Sequence, residues 1–395
     1  MPKFDVAVIG GGASGIAAAI SAKRLGKSVV ICEKMPRIGK KILASGNGRC
    51  NLLNDDLSEE YYNPAARPLI RNTFSKFGKD KIADFFGSLG LSLYSENGRI
   101  FPSTNQSASV LRVLELELGR LAIPAEVDFD VVSVTDKGEG FILTAGSGSN
   151  IESGSLIISG GGRSYPALGS DGSAFLLAEK FGHNIIEPVP SAVPLVVKDP
   201  LCHALQGQKI TAKVTALVEG RAVCEASGDL LFTKYGLSGT SILDVSEEIS
   251  IALTRAGKKD VIIEVDMVPF MTKSRLSAEL KRKMTNKIAR EDMTAGMLPN
   301  KFGAVINAIT HDRQPDAMAD ALKGRLFKVS GTRGWNEADF TAGGVDVSEV
   351  IENSLESKIR KGLYFAGEVL DVNGKRGGYN LAWAWASGFV AGQTK

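Results

Sequence analysis

The feature that most constrains this chain lies between Phe4 and Glu33. Phe4-Asp5-Val6-Ala7-Val8-Ile9 is a short apolar run rich in branched side chains, and it stops at Gly10-Gly11-Gly12-Ala13-Ser14-Gly15. A strand followed by G-x-G-x-x-G is expected to turn straight into a helix, and Ile16 to Leu25, built largely from Ala, Ile and Leu, has the composition for one. Lys23 and Arg24 stand near its end, where cations suit the negative pole, and Gly26 is placed to cap it. Lys27 to Cys32 then reads as a second apolar strand, closed by Glu33. A complete βαβ unit of this kind commits the chain to a parallel sheet with a right-handed crossover.

Each glycine has a physical duty. Gly10 permits the tight turn, Gly12 lets a pyrophosphate approach the backbone, and Gly15 allows helix and strand to pack closely. The first-turn N–H groups around Ala13 and Ser14 then face the phosphates. Glu33 is placed to accept hydrogen bonds from ribose hydroxyls, and its charge repels a 2′-phosphate. The pattern points to FAD or NAD rather than NADP.

The other end of the chain favours FAD. Gly362 to Glu368 reads as a final apolar strand ending in a small-residue turn and an acid; Asp371 follows, and Asn373-Gly374-Lys375-Arg376-Gly377-Gly378-Tyr379-Asn380 opens an apolar helix from Leu381 to Gly392. The bare N-terminus of that helix is expected to direct backbone N–H groups at the flavin C2 carbonyl, where negative charge accumulates on reduction. A fold for NAD alone would not need this element.

These residues carry a resemblance. The string Gly39-Lys40-Lys41-Ile42-Leu43-Ala44-Ser45-Gly46-Asn47-Gly48-Arg49-Cys50-Asn51, with the C-terminal LYFAGEVLDVNGKRGGYNLAWAWASG, closely resembles the BaiN/YhiN-like flavoproteins, also known as aminoacetone-oxidase-family FAD-binding enzymes. Gly98 to Pro102, Gly160 to Pro166, Gly228 to Thr233 and Thr341 to Val345 look like signatures of the same family, so the likeness runs over nearly the whole chain. Two positions depart from the pattern: Leu53 replaces a small hydroxyl residue, and Lys375-Arg376 replaces a less basic pair. Motif and resemblance together give a candidate cofactor set of Gly10, Gly12, Ala13, Ser14, Gly15, Glu33, Lys34, Lys40, Gly48, Arg49, Cys50, Asn51, Val132, Ser159, Gly160, Gly161, Gly367, Glu368, Gly378, Tyr379, Asn380 and Leu381.

Several members of this set have readings of their own. In Gly46-Asn47-Gly48-Arg49-Cys50-Asn51, the glycine and asparagine positions can adopt left-handed conformations and expose N–H groups as an anion-binding concavity, to which Arg49 would add charge; the alternative is a surface turn with a solvated arginine. Cys50 fits small apolar packing better than redox chemistry, because no partner cysteine is near it in sequence. Val131 and Val132 resemble the strand whose backbone contacts adenine in FAD proteins of this type, and read equally well as ordinary strand core.

The middle of the chain suggests the architecture. An amphipathic helix is expected over Lys76 to Leu89, a hairpin at Asn97-Gly98, a helix over Gln106 to Leu121, paired strands over Val127 to Thr135 and Gly140 to Ala145, and a return to the parallel sheet over Ile151 to Ile158. After Pro188, Pro190 and Pro194 short strands follow without helices, over Ala192 to Val197, Gln208 to Val218 and Ala222 to Ala226; Ile262 to Asp266 then gives way to helix-rich blocks over Lys273 to Arg290 and Asn300 to Leu322. The expected organisation is an α/β, FAD-binding Rossmann-like domain of the two-dinucleotide-fold type, made of residues 1–190 and 342–395, with an inserted β-domain (191–266 and 324–341) and a helical subdomain (267–323). The inserted parts are expected to close over the flavin and form the substrate pocket.

Composition removes other classes. The excess of glycine, 44 in 395 residues against a usual level of roughly 7%, is concentrated in the loops just described. A net charge of +3 gives no reason by itself to expect a nucleic-acid partner. The basic run Lys281, Arg282, Lys283 and Lys287 resembles a nucleic-acid face, and solvated helices commonly look the same. Cys32, Cys50, Cys202 and Cys224 form no C-x-x-C pair, and His183, His203 and His311 complete no ligand cluster, so neither metal nor disulfide is expected. Met1-Pro2-Lys3 runs directly into an apolar strand and no long apolar run follows, so a cytoplasmic protein without a membrane span is expected.

The function expected from the resemblance is that of an FAD-dependent oxidoreductase acting through flavin N5 on a small organic substrate, by amine oxidation or by reduction of a conjugated carbonyl. With one dinucleotide fingerprint present, NAD(P)H would bind only transiently. The competing readings are a flavoprotein that docks to RNA through the basic helical block, as a tRNA-modifying enzyme would, and a flavin sensor that does not turn over. Tyr379 and Arg49 are expected flavin neighbours, but no proton donor is identified.

Overall fold

A computed structural model describes residues 1–394. The chain divides into two compact units, one of residues 1–188 and 340–395 and the other of residues 189–339.

In the first unit, Lys3–Ile9 is flanked by Val29–Cys32 and Asn150–Ile158, both parallel to it, with Val8 opposite Ile31 on one side and Ile157 on the other. Val6, Ala7 and Val8 and all four residues of Val29–Cys32 are buried, as expected for strands covered on both faces. Ala125–Glu126 extends the sheet beyond the second strand, and Leu363–Phe365 adds in parallel beside Asn150–Ile158. On the far side, Phe141–Ala145 and Val131–Asp136 continue it as an antiparallel meander. The first helix, Ala13–Arg24, begins three residues earlier than its composition suggested, directly from Gly12.

One other helix and one strand differ from expectation for identifiable reasons. The helix expected over Lys76 to Leu89 is Lys79–Ser88; Lys76 ends a separate helix, Arg67–Lys76, and the break includes Gly78, where a Cβ would stand 2.6 Å from the Phe74 carbonyl oxygen. The expected strand from Val127 to Thr135 begins only at Val131, as Val131–Asp136, because Asp128 adopts φ +54 and separates it from Ala125–Glu126.

In the second unit, six strands form a closed barrel: Leu195–Val197, Gly236–Ser238, Arg221–Thr233, Lys209–Val218, Val261–Asp266 and Arg325–Thr332. Closure removes the free edges that short strands would otherwise expose. The helices Thr240–Thr254, Lys273–Thr285 and Pro315–Lys323 contribute Ile242, Val245, Leu276, Leu280 and Met318 to the same apolar core as the barrel residues Val214, Phe232 and Phe327. The expected β-domain and helical block therefore share one core. Thr240–Thr254 was not anticipated from the sequence.

Among the described residues, no helix is long and apolar enough to cross a membrane, and no group of three or more His, Cys, Asp or Glu could hold a metal ion.

Candidate functional site

Two helix N-termini in the first unit frame the site. At the first, Gly10 has φ +98, and a Cβ on Gly15 would stand 1.9 Å from the Gly10 carbonyl oxygen, so the turn closes tightly on itself. Gly12 differs: its φ is −83, and a Cβ there would meet nothing within 4 Å. The helix it caps has neither a side-chain cap nor an acidic residue in its first turn, which leaves its positive pole open to a phosphate.

Glu33 is nearly buried. Its Oε2 accepts from the Gly11 N–H at 2.6 Å and its Oε1 from the Met35 N–H at 2.8 Å. The carboxylate thus fastens the turn, and its remaining lone pairs suit ribose hydroxyls.

The second N-terminus belongs to Tyr379–Ala391, entered through Gly377 at φ +138 and Gly378 at φ +103. A Cβ on Gly378 would stand 2.3 Å from the Leu53 carbonyl oxygen and 2.9 Å from Asn51 Oδ1. Asn51 Oδ1 is itself buried with no hydrogen-bond partner. The entry loop is clamped in place: Asn380 Nδ2 donates to the Gly374 carbonyl at 2.8 Å, the Gly374 N–H donates to Asn380 Oδ1 at 2.9 Å, and Asn54 Nδ2 donates to the Gly377 carbonyl at 2.9 Å. Leu381 packs against the core behind them.

The two helices run parallel and touch backbone to backbone. Cβ atoms on Gly388 and Gly392 would stand 2.3 Å and 2.4 Å from the carbonyl oxygens of Ser14 and Ala18. The first of these contacts lies one residue into the first helix and nine into the last. At 1.5 Å per residue the last helix therefore begins roughly 12 Å beyond the first. Two positive poles, side by side and staggered along one direction, match an elongated cofactor with a pyrophosphate at one place and an electron-rich carbonyl edge further on. A flavin imide edge offers carbonyls to the helix and an N–H to the orphaned Asn51 Oδ1, so the residues present fit FAD.

A cluster not anticipated from the sequence adjoins the last strand. Lys41 Nζ lies 2.6 Å from Glu368 Oε2 and donates to Ser164 Oγ at 2.6 Å, while the Thr341 N–H donates to Glu368 Oε1 at 2.8 Å. Thr341 Oγ1 in turn accepts from the Arg163 N–H at 2.8 Å. Lys41 thus makes the contact, whereas Lys40 opens the short helix Lys40–Ala44. The flanking Gly367 has φ +75, and a Cβ there would collide with Ser14 Oγ at 2.4 Å. Ser159 ties strand ends together by donating to the Ile9 carbonyl at 2.8 Å. A Cβ on Gly160 would stand 2.9 Å from that of Ala174, and one on Gly161 3.0 Å from Ser170 Oγ, a second buried atom without a partner.

Four expected site residues are corrected. Gly46, Asn47, Gly48 and Cys50 are all left-handed, at φ +56, +54, +83 and +57, so the loop does make a concave turn. Arg49 does not lend it charge: its guanidinium meets Glu96 at 2.9 Å, Tyr94 Oη at 2.8 Å and Asn105 at 2.9 Å, and lies over the Phe101 ring. The Cys50 side chain is fully buried, and burial pushes its thiol up to about 12. Only the backbone of Cys50 remains for a ligand. Lys34 is engaged by Asp171 at 2.5 Å and by Ser173 at 3.0 Å. Val132 lies in the outer meander strand, at the opposite end of the sheet from Ala125–Glu126, and its side chain is half exposed. The segment that closes on Glu33 is Glu126 to Phe129, where the Phe129 N–H donates to the Glu33 carbonyl at 2.9 Å.

Comparison with known proteins agrees with this fold. The family described as HI0933-like protein Rossmann domain matches residues 4–394. A 3-dehydro-bile acid delta(4,6)-reductase of Clostridium scindens is 36% identical over 98% of this chain and 98% of its own. A ribosomal RNA dihydrouridine synthase of Escherichia coli is 30% identical, over 100% of this chain and 98% of its own. Among solved structures, a flavocytochrome c3 fumarate reductase in its open conformation superposes with a TM-score of 0.54 at 16% identity, covering 99% of this chain and 78% of the other. The chain belongs to the HI0933-like Rossmann family.

Proposed function

We propose that this FAD-dependent oxidoreductase saturates a carbon–carbon double bond conjugated to a carbonyl in a small organic molecule, with NAD(P)H as the transient reductant. The observation that carries this reading is what the named relatives have in common. One is named for reducing a bile acid that bears a 3-oxo group, the other for making dihydrouridine in ribosomal RNA. Both names describe hydrogen added across a C=C that a carbonyl polarises, and neither speaks for amine oxidation.

When bound, FAD supplies the hydride through N5. The chain's own contribution is to hold and orient it. The first-turn N–H groups at Gly12 to Gly15 take the pyrophosphate and Glu33 takes the ribose. The N-terminus at Gly378, with Asn51, takes the imide edge, where the helix pole favours the charge that develops on reduction.

A second reading, RNA as substrate, rests on the dihydrouridine synthases. Part of the charge of the basic helical block is used within the unit, while Lys281 and Lys287 stand exposed. Arg282 pairs with Glu279 at 2.7 Å, Lys273 with Asp320 at 2.5 Å, and Lys283 donates to the Met293 and Ala295 carbonyls at 3.1 and 2.6 Å. Anaerobic reduction by NADH or NADPH, followed by mixing with a 4-en-3-one steroid or with a ribosomal RNA transcript, separates the readings. Reoxidation by the steroid with a product two hydrogens heavier supports the proposal; reoxidation by RNA alone replaces it with the second reading.

A further inference from the structure

The loop between the strand Asn150–Ile158 and the helix Ser173–Lys180 touches two parts of the site at once. Its ends close on each other, the Gly172 N–H donating to the Gly162 carbonyl at 3.0 Å, so residues 162–172 form a compact surface loop. On one side a Cβ on Gly169 would stand 3.7 Å from Glu33 Oε1 and 2.9 Å from Met35 Cγ, which sets the loop against the carboxylate assigned to the ribose. On the other, Ser164 Oγ accepts from Lys41 Nζ at 2.6 Å and donates to Glu368 Oε1 at 3.1 Å, and the Gly162 N–H donates to Glu368 Oε2 at 3.4 Å. Glu368 follows Gly367, which packs on Ser14 in the first turn of the first helix. The loop therefore reaches from the adenosine end of the proposed cradle to the phosphate turn.

What holds the loop there is polar. Asp171 Oδ1 meets Lys34 Nζ at 2.5 Å, as Ser164 meets Lys41, and both lysines come from the segment that follows the second strand. The apolar side chains of the loop, Tyr165, Pro166, Ala167 and Leu168, are all partly or largely exposed, so little hydrophobic burial resists its opening. Closure also carries costs. Tyr165 sits at φ +56, a left-handed conformation unfavourable for a bulky side chain, and the Ser170 hydroxyl is buried without a hydrogen-bond partner. A segment burdened in its closed form and fastened by two ammonium groups has the properties of a two-state element. We propose that residues 162–172 are a strap that closes over the adenosine and pyrophosphate half of FAD and opens for the cofactor to enter or leave, with Lys34–Asp171 and Lys41–Ser164 as its latches. The inference rests on the reading of Glu33 and the Gly12 turn as part of the FAD cradle. It gives Lys34 a role that needs no contact with the cofactor.

The test is the kinetics of FAD exchange in Asp171→Asn, with uptake followed by flavin fluorescence on mixing apoprotein with FAD, and release followed by displacement with excess 5-deaza-FAD. The substitution keeps an oxygen for the Ser173 N–H, which Asp171 Oδ1 accepts at 3.0 Å, and removes the charge. Weakening a latch raises the open population both with and without cofactor. Uptake and release should therefore quicken together, each about threefold, while the dissociation constant stays within about twofold of the native value. Unchanged rates overturn the proposal. So does faster release alone with an equal loss of affinity, which would make Asp171 part of the binding contact instead of a latch.

Arg163, within the loop, is exposed and offers a reading of opening that needs no cofactor. Trypsin cleavage after it in the apoprotein should be about threefold faster in Asp171→Asn than in the native protein when cleavage is slow compared with reclosing; equal cleavage overturns the strap. Ser164→Ala frees the second latch and leaves Lys41 paired with Glu368. It should quicken uptake and release in the same manner, and its effect should multiply with that of Asp171→Asn. A native protein that takes up no FAD would sink the cofactor reading itself, whereas FAD uptake at rates indifferent to both substitutions leaves that reading standing and removes the strap, so the two failures are distinguishable.

Discussion

Lys41 Nζ stands 2.6 Å from Glu368 Oε2, and this ion pair joins the segment after the second strand to the acid that follows the last. Both side chains are less than one-third exposed, at 29% and 21%. Removing the cation leaves Glu368 with Ser164 Oγ and the Thr341 and Gly162 N–H groups. Lys41→Met should therefore lower the unfolding free energy of the apoprotein by about 1.5–3 kcal/mol, the usual worth of a charged hydrogen bond. Urea denaturation measures this, and Lys41→Arg should lose less.

Three glycines separate a ligand cradle from tight packing. Gly12→Ala places a methyl in open space at an ordinary φ, so the apoprotein should melt within about 2 °C of the native one, yet FAD affinity should fall at least tenfold because the methyl occupies the phosphate's place. Gly15→Ala collides with the Gly10 carbonyl and should destabilise the apoprotein severely. Gly378→Val combines a forbidden φ with the Leu53 carbonyl at 2.3 Å, and should lower both stability and flavin occupancy. Melting temperature and FAD titration on the same preparations decide each case.

Glu33 holds two backbone N–H groups of the phosphate turn as well as its expected ribose hydroxyls. Glu33→Ala should thus weaken FAD about tenfold or more and also destabilise the apoprotein. Calorimetric titration with FAD measures the first effect. Unchanged affinity in a folded variant would reduce Glu33 to a turn fastener.

His183 is buried with Nδ1 2.9 Å from Glu349 and Nε2 2.7 Å from Ser357 Oγ. Burial holds its pKa below the ordinary 6.5, against the opposing pull of Glu349. As pH falls through 6.5 the unfolded chain takes up a proton here before the folded one does, so stability contributed by His183 is present above 6.5 and is lost toward its lower folded value. Denaturation midpoints between pH 7 and pH 5 should drop more steeply in the native protein than in His183→Gln.

What the sequence made legible was local. The first βαβ unit could be read because each glycine's duty is set by neighbours within the same turn, and the left-handed run at Gly46 to Gly48 because glycine and asparagine tolerate that conformation. The misplacement of Val132 followed from one residue: Asp128 at φ +54 interrupts the extended run from Val127, so pairing in the meander starts only at Val131. The Lys41 cluster was hidden because its partner lies 327 residues away. Arg49 was misread because its charge is settled by Glu96 and Tyr94 on a hairpin whose position relative to the loop is a property of the fold.

The proposed cradle for FAD is the pair of staggered helix N-termini at Gly12 and Gly378. The direct measurement is the flavin content of the purified protein after reconstitution and removal of excess cofactor. The expected result is a yellow protein that releases one FAD per chain on denaturation, identified by chromatography. A colourless protein that cannot be reconstituted, or one that takes up FMN and FAD equally and so makes no use of the adenosine end at Glu33, would contradict it.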